Sequence, residues 1–156
     1  MSRRARHPIV TARALRIPSV ADMTENQHAS NALTVLQEVR PPFVPPNADA
    51  VTFTIEYPAG HPGAAPHRHP GPAFGYVLEG EMRFEIEGEP ERVVRAGEAF
   101  WEPGGDTIHY QDGNHSDRDR LRFLVTLLCP PGAPMLTFVD PGELAARRNR
   151  RAPRPT

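Results

Sequence analysis

Downstream of residue 50 the chain carries no apolar run far before a glycine, a proline or a polar loop interrupts it. That rhythm, drawn from 19 prolines and 12 glycines, favours short strands joined by turns and opposes long helices. Val51-Thr-Phe-Thr-Ile-Glu-Tyr57 alternates cleanly, with Val51, Phe53, Ile55 and Tyr57 on one face. Residues 74–79 and 81–87 read as a hairpin turning at Glu79-Gly80, with Met82, Phe84 and Ile86 inward. Short strands are expected over 91–95, 99–102 and 108–111. Leu121-Arg-Phe-Leu-Val-Thr-Leu-Leu128 is the longest, and 136–139 is expected to pair near it. An earlier apolar run, 33–39, reads as a first strand. About eight or nine short strands with turn residues between them predict an all-β antiparallel fold, a sandwich or a jelly-roll barrel.

The length, 156 residues, suits one domain. Residues 1–30 are polar and aperiodic and read as an N-terminal arm, 31–140 as the folded domain, and 141–156 as a basic C-terminal tail. Within the tail, Glu143-Leu-Ala-Ala-Arg-Arg-Asn-Arg-Arg151 suits a short helix before Pro153. A solvated tail and a surface for an acidic partner are both open readings. A formal net charge of −1 gives no global field for nucleic acid or anionic lipid. No apolar stretch approaches the roughly 20 residues that span a bilayer. The N-terminus lacks the apolar core of a secretory signal. The lone cysteine, Cys129, makes no internal disulfide and reads as a buried thiol. These features predict a cytoplasmic protein with no nucleic-acid and no membrane partner.

His67-Arg-His69 is the centre of the chemistry. In a strand, residues i and i+2 project to one face, so both imidazoles reach one point. Neutral imidazole is a ligand for several divalent transition metals. Downstream runs Gly97-Glu-Ala-Phe-Trp-Glu-Pro103-Gly-Gly105-Asp-Thr-Ile-His109, a turn, a short aromatic strand, a second turn and a third imidazole. Three histidines meet the ligand count of a catalytic metal site with open positions. Gln111 shares the strand face of His109 and is a candidate further ligand or substrate contact; a plain surface glutamine is the other reading. Glu102 is a candidate acceptor for a ligand histidine. His61 reads as a solvated loop residue or a proton carrier at the mouth of the site, and Tyr76, Phe100 and Trp101 as core or dimer packing.

With these residues in place, the sequence resembles the cupin superfamily over roughly residues 50–128. His67, His69 and Gly80, the last inside Tyr76-Val-Leu-Glu-Gly-Glu81, match the first cupin motif; Gly97, Pro103 and Gly105 match the second. The resemblance implies an antiparallel double-stranded β-helix with one divalent metal ion (Fe, Zn, Ni, Mn or Cu) held inside by His67, His69 and His109. It also implies a homodimer. Three positions depart from the pattern, one of them the leading glycine of the first motif, which falls on His61 with Gly60 and Gly63 close by. Ala73 occupies the slot of the usual glutamate ligand. Ile108 stands where the second-motif histidine is expected, with His109 one residue later. A bulge at Gly104-Gly105 would restore an inward His109. Ala73, Gly75 and Val77 share strand parity and are expected to line a pocket beside the metal.

A neutral three-histidine set leaves a bound metal electrophilic. The reading is therefore a metal-dependent enzyme acting on a small organic molecule, with dioxygenase chemistry of the quercetinase type first and isomerase or lyase chemistry beside it. The alternative is a non-catalytic cupin that binds or senses a small molecule.

Overall fold

A computed structural model describes residues 32–153. The chain divides into two units, residues 1–35 and 36–156. Of the first, residues 32–35 are described and form neither strand nor helix. The expected arm, 1–30, lies outside the described residues.

The second unit is built from β1 (Asp49–Tyr57), β2 (His67–Arg68), β3 (Ala73–Glu79), β4 (Glu81–Ile86), β5 (Arg92–Arg95), β6 (Ala99–Glu102), β7 (His109–Gln111), β8 (Leu121–Cys129) and β9 (Thr137–Phe138). A short helix, α1 (Pro141–Ala146), and a 3-10 turn over Arg148–Arg150 follow. The strands form a four-stranded sheet in the order β1-β8-β3-β6 and a five-stranded sheet in the order β5-β4-β7-β2-β9. The ladders between them are antiparallel. This is a jelly roll, one of the two arrangements the alternating runs predict, and the antiparallel double-stranded β-helix that the resemblance implies. Among the described residues no helix is long and apolar enough to cross a membrane.

The alternation of β8 shows why the sheets close face to face. Leu121, Phe123, Val125, Leu127 and Cys129 are buried, and the residues between them are exposed or half-buried. They pack with Met82 and Phe84 of β4 and Phe100 of β6 in one apolar core. Each such side chain contributes about 1.5–3 kcal/mol by leaving water.

Four expectations change on the fold. The segments 74–79 and 81–87 do not form a hairpin. β3 pairs with β6 and β8, while β4 pairs with β5 and β7. Gly80, at φ +81°, is a corner where the chain leaves one sheet for the other, and a Cβ there would strike the carbonyl of Arg120. Locally such a corner looks like a hairpin turn; the partner strands decide otherwise. Second, 33–39 forms no strand, and Leu33, Val35 and Leu36 are exposed. An apolar run needs a partner edge to become a strand. Third, β9 pairs with β2 and not with β8, which places the segment before it beside the histidines. Fourth, the C-terminal segment is not a free tail. Leu144 and Val139 pack on Ile108 and Tyr110. Arg147 binds Glu87 at 2.5 Å and Asp106 at 2.8 Å. Arg68 pairs with Glu143, and Arg151 pairs with the buried Glu85 and covers the Tyr110 ring. Arg147 and Arg151 of the tail are used against acidic groups of the barrel itself.

Candidate metal centre

β2 and β7 bring the first two imidazoles together. His67 and His109 are direct antiparallel partners, and their ring centroids lie 5.0 Å apart. His69 follows two residues after His67, with its ring centroid 4.9 Å from that of His67. All three rings are buried, at 4–8% exposure. The phase of His109 is set at β7 itself. Ile86 pairs with His109 while Glu85 pairs with Gln111, so Tyr110 is the extra residue of a bulge. This irregularity sits directly after His109; in the turn before it, where the sequence suggested a bulge, Gly104 and Gly105 both take positive φ. Ile108 and Tyr110 turn to the second apolar cluster, which leaves His109 facing inward.

A fourth group completes the cluster. Glu102, at the end of β6, is 5% exposed. Its Oε2 lies 2.9 Å from His109 Nδ1 and 3.3 Å from His69 Nε2. One ligand atom from each of His67, His69, Glu102 and His109 lies within 4.8 Å of the others. Sequence reasoning gave Glu102 only an accepting role towards a histidine. Its strand parity with Phe100 was the available signal that it faces inward.

The hydrogen bonds fix the tautomers. His67 Nδ1 lies 2.8 Å from the Ala65 carbonyl, His69 Nδ1 2.7 Å from that of Met135, and His109 Nε2 2.9 Å from that of Gln111. A carbonyl oxygen accepts, so each of these nitrogens carries the proton. The other nitrogen of each ring is left with a lone pair, as in metal-binding histidines held by an outer acceptor. His109 Nδ1 is buried with no aligned hydrogen bond, although Glu102 is close. Three lone pairs and a carboxylate facing one another repel unless a cation or a proton lies among them. On this test the donor set fits a divalent ion.

The electrostatics agree. Burial alone would raise the Glu102 pKa, but the imidazoles, His109 foremost, hold it down at about 2. Burial alone would lower that of His109, yet the Glu102 carboxylate raises it above its ordinary value. Burial, then the neighbouring His109, pushes His67 down. In the absence of an ion, the Glu102 carboxylate and the His109 imidazole each favour the other's charged form.

The cluster forms one end of a cavity of about 140 Å³. Its apolar walls come from Phe53 and Ile55 of β1, Phe123 and Val125 of β8, and Met135 and Leu136 before β9. The expected lining by Ala73, Gly75 and Val77 is not found. Ala73 and Val77 are fully buried in the core, and the room above Gly75 is filled by the Phe100 ring, which a Cβ there would overlap. Gln111 does not join the cluster either. Its side-chain oxygen accepts from the Gly113 amide at 3.0 Å and closes the turn after β7. His61 is not free in solvent but stacks on Tyr57, with ring centroids 4.4 Å apart.

Comparison with known proteins adds the following. The family described as Cupin domain matches residues 53–127. A curated relative, Oryzines biosynthesis cluster protein J of Aspergillus oryzae, is 36% identical over 66 residues. That alignment covers 41% of this chain and 35% of the relative, so the chain spans about a third of that protein's length. Among solved structures, the DMSP lyase DddQ from Ruegeria pomeroyi is 23% identical over 58% of this chain and 43% of its own, with a TM-score of 0.48. An oxalate oxidase in complex with the substrate analogue glycolate is 25% identical over 66% and 57%, also at 0.48. The polyketide cyclase RemF from Streptomyces resistomycificus is 28% identical over 61% and 66%, at 0.45. What those proteins act on is theirs. The match over residues 53–127, most of the barrel, settles the kinship: that part of the chain is a cupin domain, and the chain belongs through it to the cupin superfamily.

Proposed function

We propose that this cupin is a metal-dependent enzyme acting on a small organic molecule, with His67, His69, His109 and Glu102 as the ligands of one divalent ion (Fe, Zn, Ni, Mn or Cu). The observation that carries the reading is the set of buried lone pairs at the end of an apolar cavity, each fixed by a backbone carbonyl behind it. A bound ion would supply Lewis acidity or a site for O₂. The chain's residues do the rest. The three carbonyls of Ala65, Met135 and Gln111 hold the imidazoles in the ligating tautomer. Glu102 lowers the net charge of the site. The walls keep water from the ligand's apolar part.

The carboxylate revises the expected chemistry. Three neutral imidazoles alone would leave a dication its full charge; with Glu102 the centre is one charge less positive. Dioxygenase chemistry is still the first reaction to assay, with lyase or isomerase chemistry beside it. The cavity is partly open, and because a cavity of about 150 Å³ takes a benzene, its inner space of about 140 Å³ suits one ring of a guest. Single-ring and short-chain compounds therefore stand beside the quercetinase-type substrate in this reading.

The test is O₂ uptake and product formation by the metal-loaded protein across catechols, diketones and small hydroxy and keto acids. Turnover that disappears in His67→Ala supports the reading. Ligand binding without O₂ uptake or product for any of these compounds favours a non-catalytic binder.

A further inference from the structure

Apart from the four candidate ligands, Tyr57 and Asp112 are the polar side chains of the cavity wall. They are joined. The Tyr57 hydroxyl donates to Asp112 Oδ2 at 3.1 Å, and Asp112 Oδ1 accepts from the Ala64 amide at 2.6 Å. Asp112 is 5% exposed. The Tyr57 ring is gripped on its face by His61 and meets the edge of Phe123, with centroids 5.9 Å apart. Such a ring is held in place with its proton already committed. Burial and the facing carboxylate raise the Tyr57 pKa, so the phenol stays protonated. Its oxygen, which the Ala64 amide also approaches, keeps a lone pair for a guest and acts as an acceptor.

We infer that Tyr57, oriented by Asp112, is a specificity-determining residue that accepts a hydrogen bond from a hydroxyl or amino group on a ring-sized ligand whose anionic head sits at the histidine–glutamate cluster. The inference rests on the metal reading above, because the head group needs the ion. The inner space of the cavity suits a guest of about one aromatic ring. Its walls reward the ring, and its two polar places demand two polar groups. A donor-bearing guest is favoured because it adds one hydrogen bond, to the half-buried Tyr57 oxygen, that a guest without a donor cannot make.

Benzoate, 3-hydroxybenzoate and 4-hydroxybenzoate serve as probes, titrated calorimetrically into the metal-loaded full chain, with metal content measured by mass spectrometry. In the wild type, one hydroxy isomer binds about five- to ten-fold more tightly than benzoate, the gain of one hydrogen bond. Tyr57→Phe keeps the ring and its stacking and removes the oxygen. That variant holds the same metal and binds benzoate as before, and the hydroxy preference is gone. Asp112→Asn, which leaves the Tyr57 oxygen facing an amide, also loses the preference. Benzoate binding with no preference in the wild type, or a preference that survives Tyr57→Phe, overturns this inference and leaves the metal reading intact. Absence of metal from the wild type after reconstitution overturns both.

Discussion

Ala73 and Glu102 are direct partners across the β3–β6 ladder. The first is the position at which a cupin glutamate ligand is expected and is a fully buried alanine. The second puts its carboxylate among the three imidazoles. Cross-strand partners project to the same face of a sheet, so the carboxylate has moved one strand sideways without leaving the site. Ala73 thus presents only a methyl group on the face that carries Glu102.

This relationship predicts a transplant. Glu102→Ala alone is expected to weaken metal binding by at least the roughly 10- to 100-fold that loss of a mere hydrogen-bond partner behind a ligand costs. Ala73→Glu combined with Glu102→Ala returns a carboxylate to the same face and is expected to recover most of that loss. Ala73→Glu alone places two carboxylates side by side in the interior and destabilises the fold. Competition with a chromophoric chelator reads all three; a double variant no better than Glu102→Ala would count against the shared face.

The same pair predicts an acid response. Glu102 is held at about 2, below its ordinary 4.5. Its contribution to stability is full above pH 4.5 and is lost as the pH falls toward 2. His109 is raised above 6.5, so its contribution is full below 6.5 and fades as the pH rises through its folded value. Metal-free protein should therefore lose Tm steeply below pH 4.5, and Glu102→Gln should flatten that limb. In the metal-loaded protein the proton on His109 competes with the ion, and affinity falls as the pH drops. Equal acid limbs in wild type and variant would contradict the pairing.

Gly75 is predicted to be intolerant for a packing reason. A Cβ there overlaps the Phe100 ring, which is 1% exposed. Gly75→Ala should cost about 1–3 kcal/mol by overpacking. Phe100→Leu in the same chain should return part of it. Urea denaturation of the two variants and the double variant measures the coupling.

Gln111 separates the site from its surroundings. Its side chain bonds the Gly113 amide and its backbone carbonyl holds His109. Gln111→Ala is therefore expected to leave metal stoichiometry unchanged and to lower stability by about 1 kcal/mol, the worth of one hydrogen bond. Loss of the metal in this variant would show that the glutamine does more than close the turn.

Much of this was legible in the residues, for physical reasons. The period of two in 51–57 and in Leu121–Leu128 fixes which side faces the core. His67 and His69 share a face by the same rule. What escaped was decided by partners distant in sequence. Gly80 looks like a hairpin turn because local chemistry cannot tell a turn from a corner between sheets. The run 33–39 has strand composition and no edge to join. The bulge at Tyr110 exists only relative to Glu85 and Ile86. Glu102 was weighed as an accessory because its role depends on Ala73 being small and adjacent. The arginines of the tail looked solvated because Glu85 and Glu87 lie far away along the chain.

The most direct measurement is metal content by mass spectrometry with anomalous diffraction at the absorption edge of the metal found, on untagged protein and on His67→Ala/His69→Ala. The account predicts about one ion per chain, located between the three imidazoles and Glu102, and none in the double variant. No ion after reconstitution, or an ion bound elsewhere and indifferent to the double substitution, would contradict it.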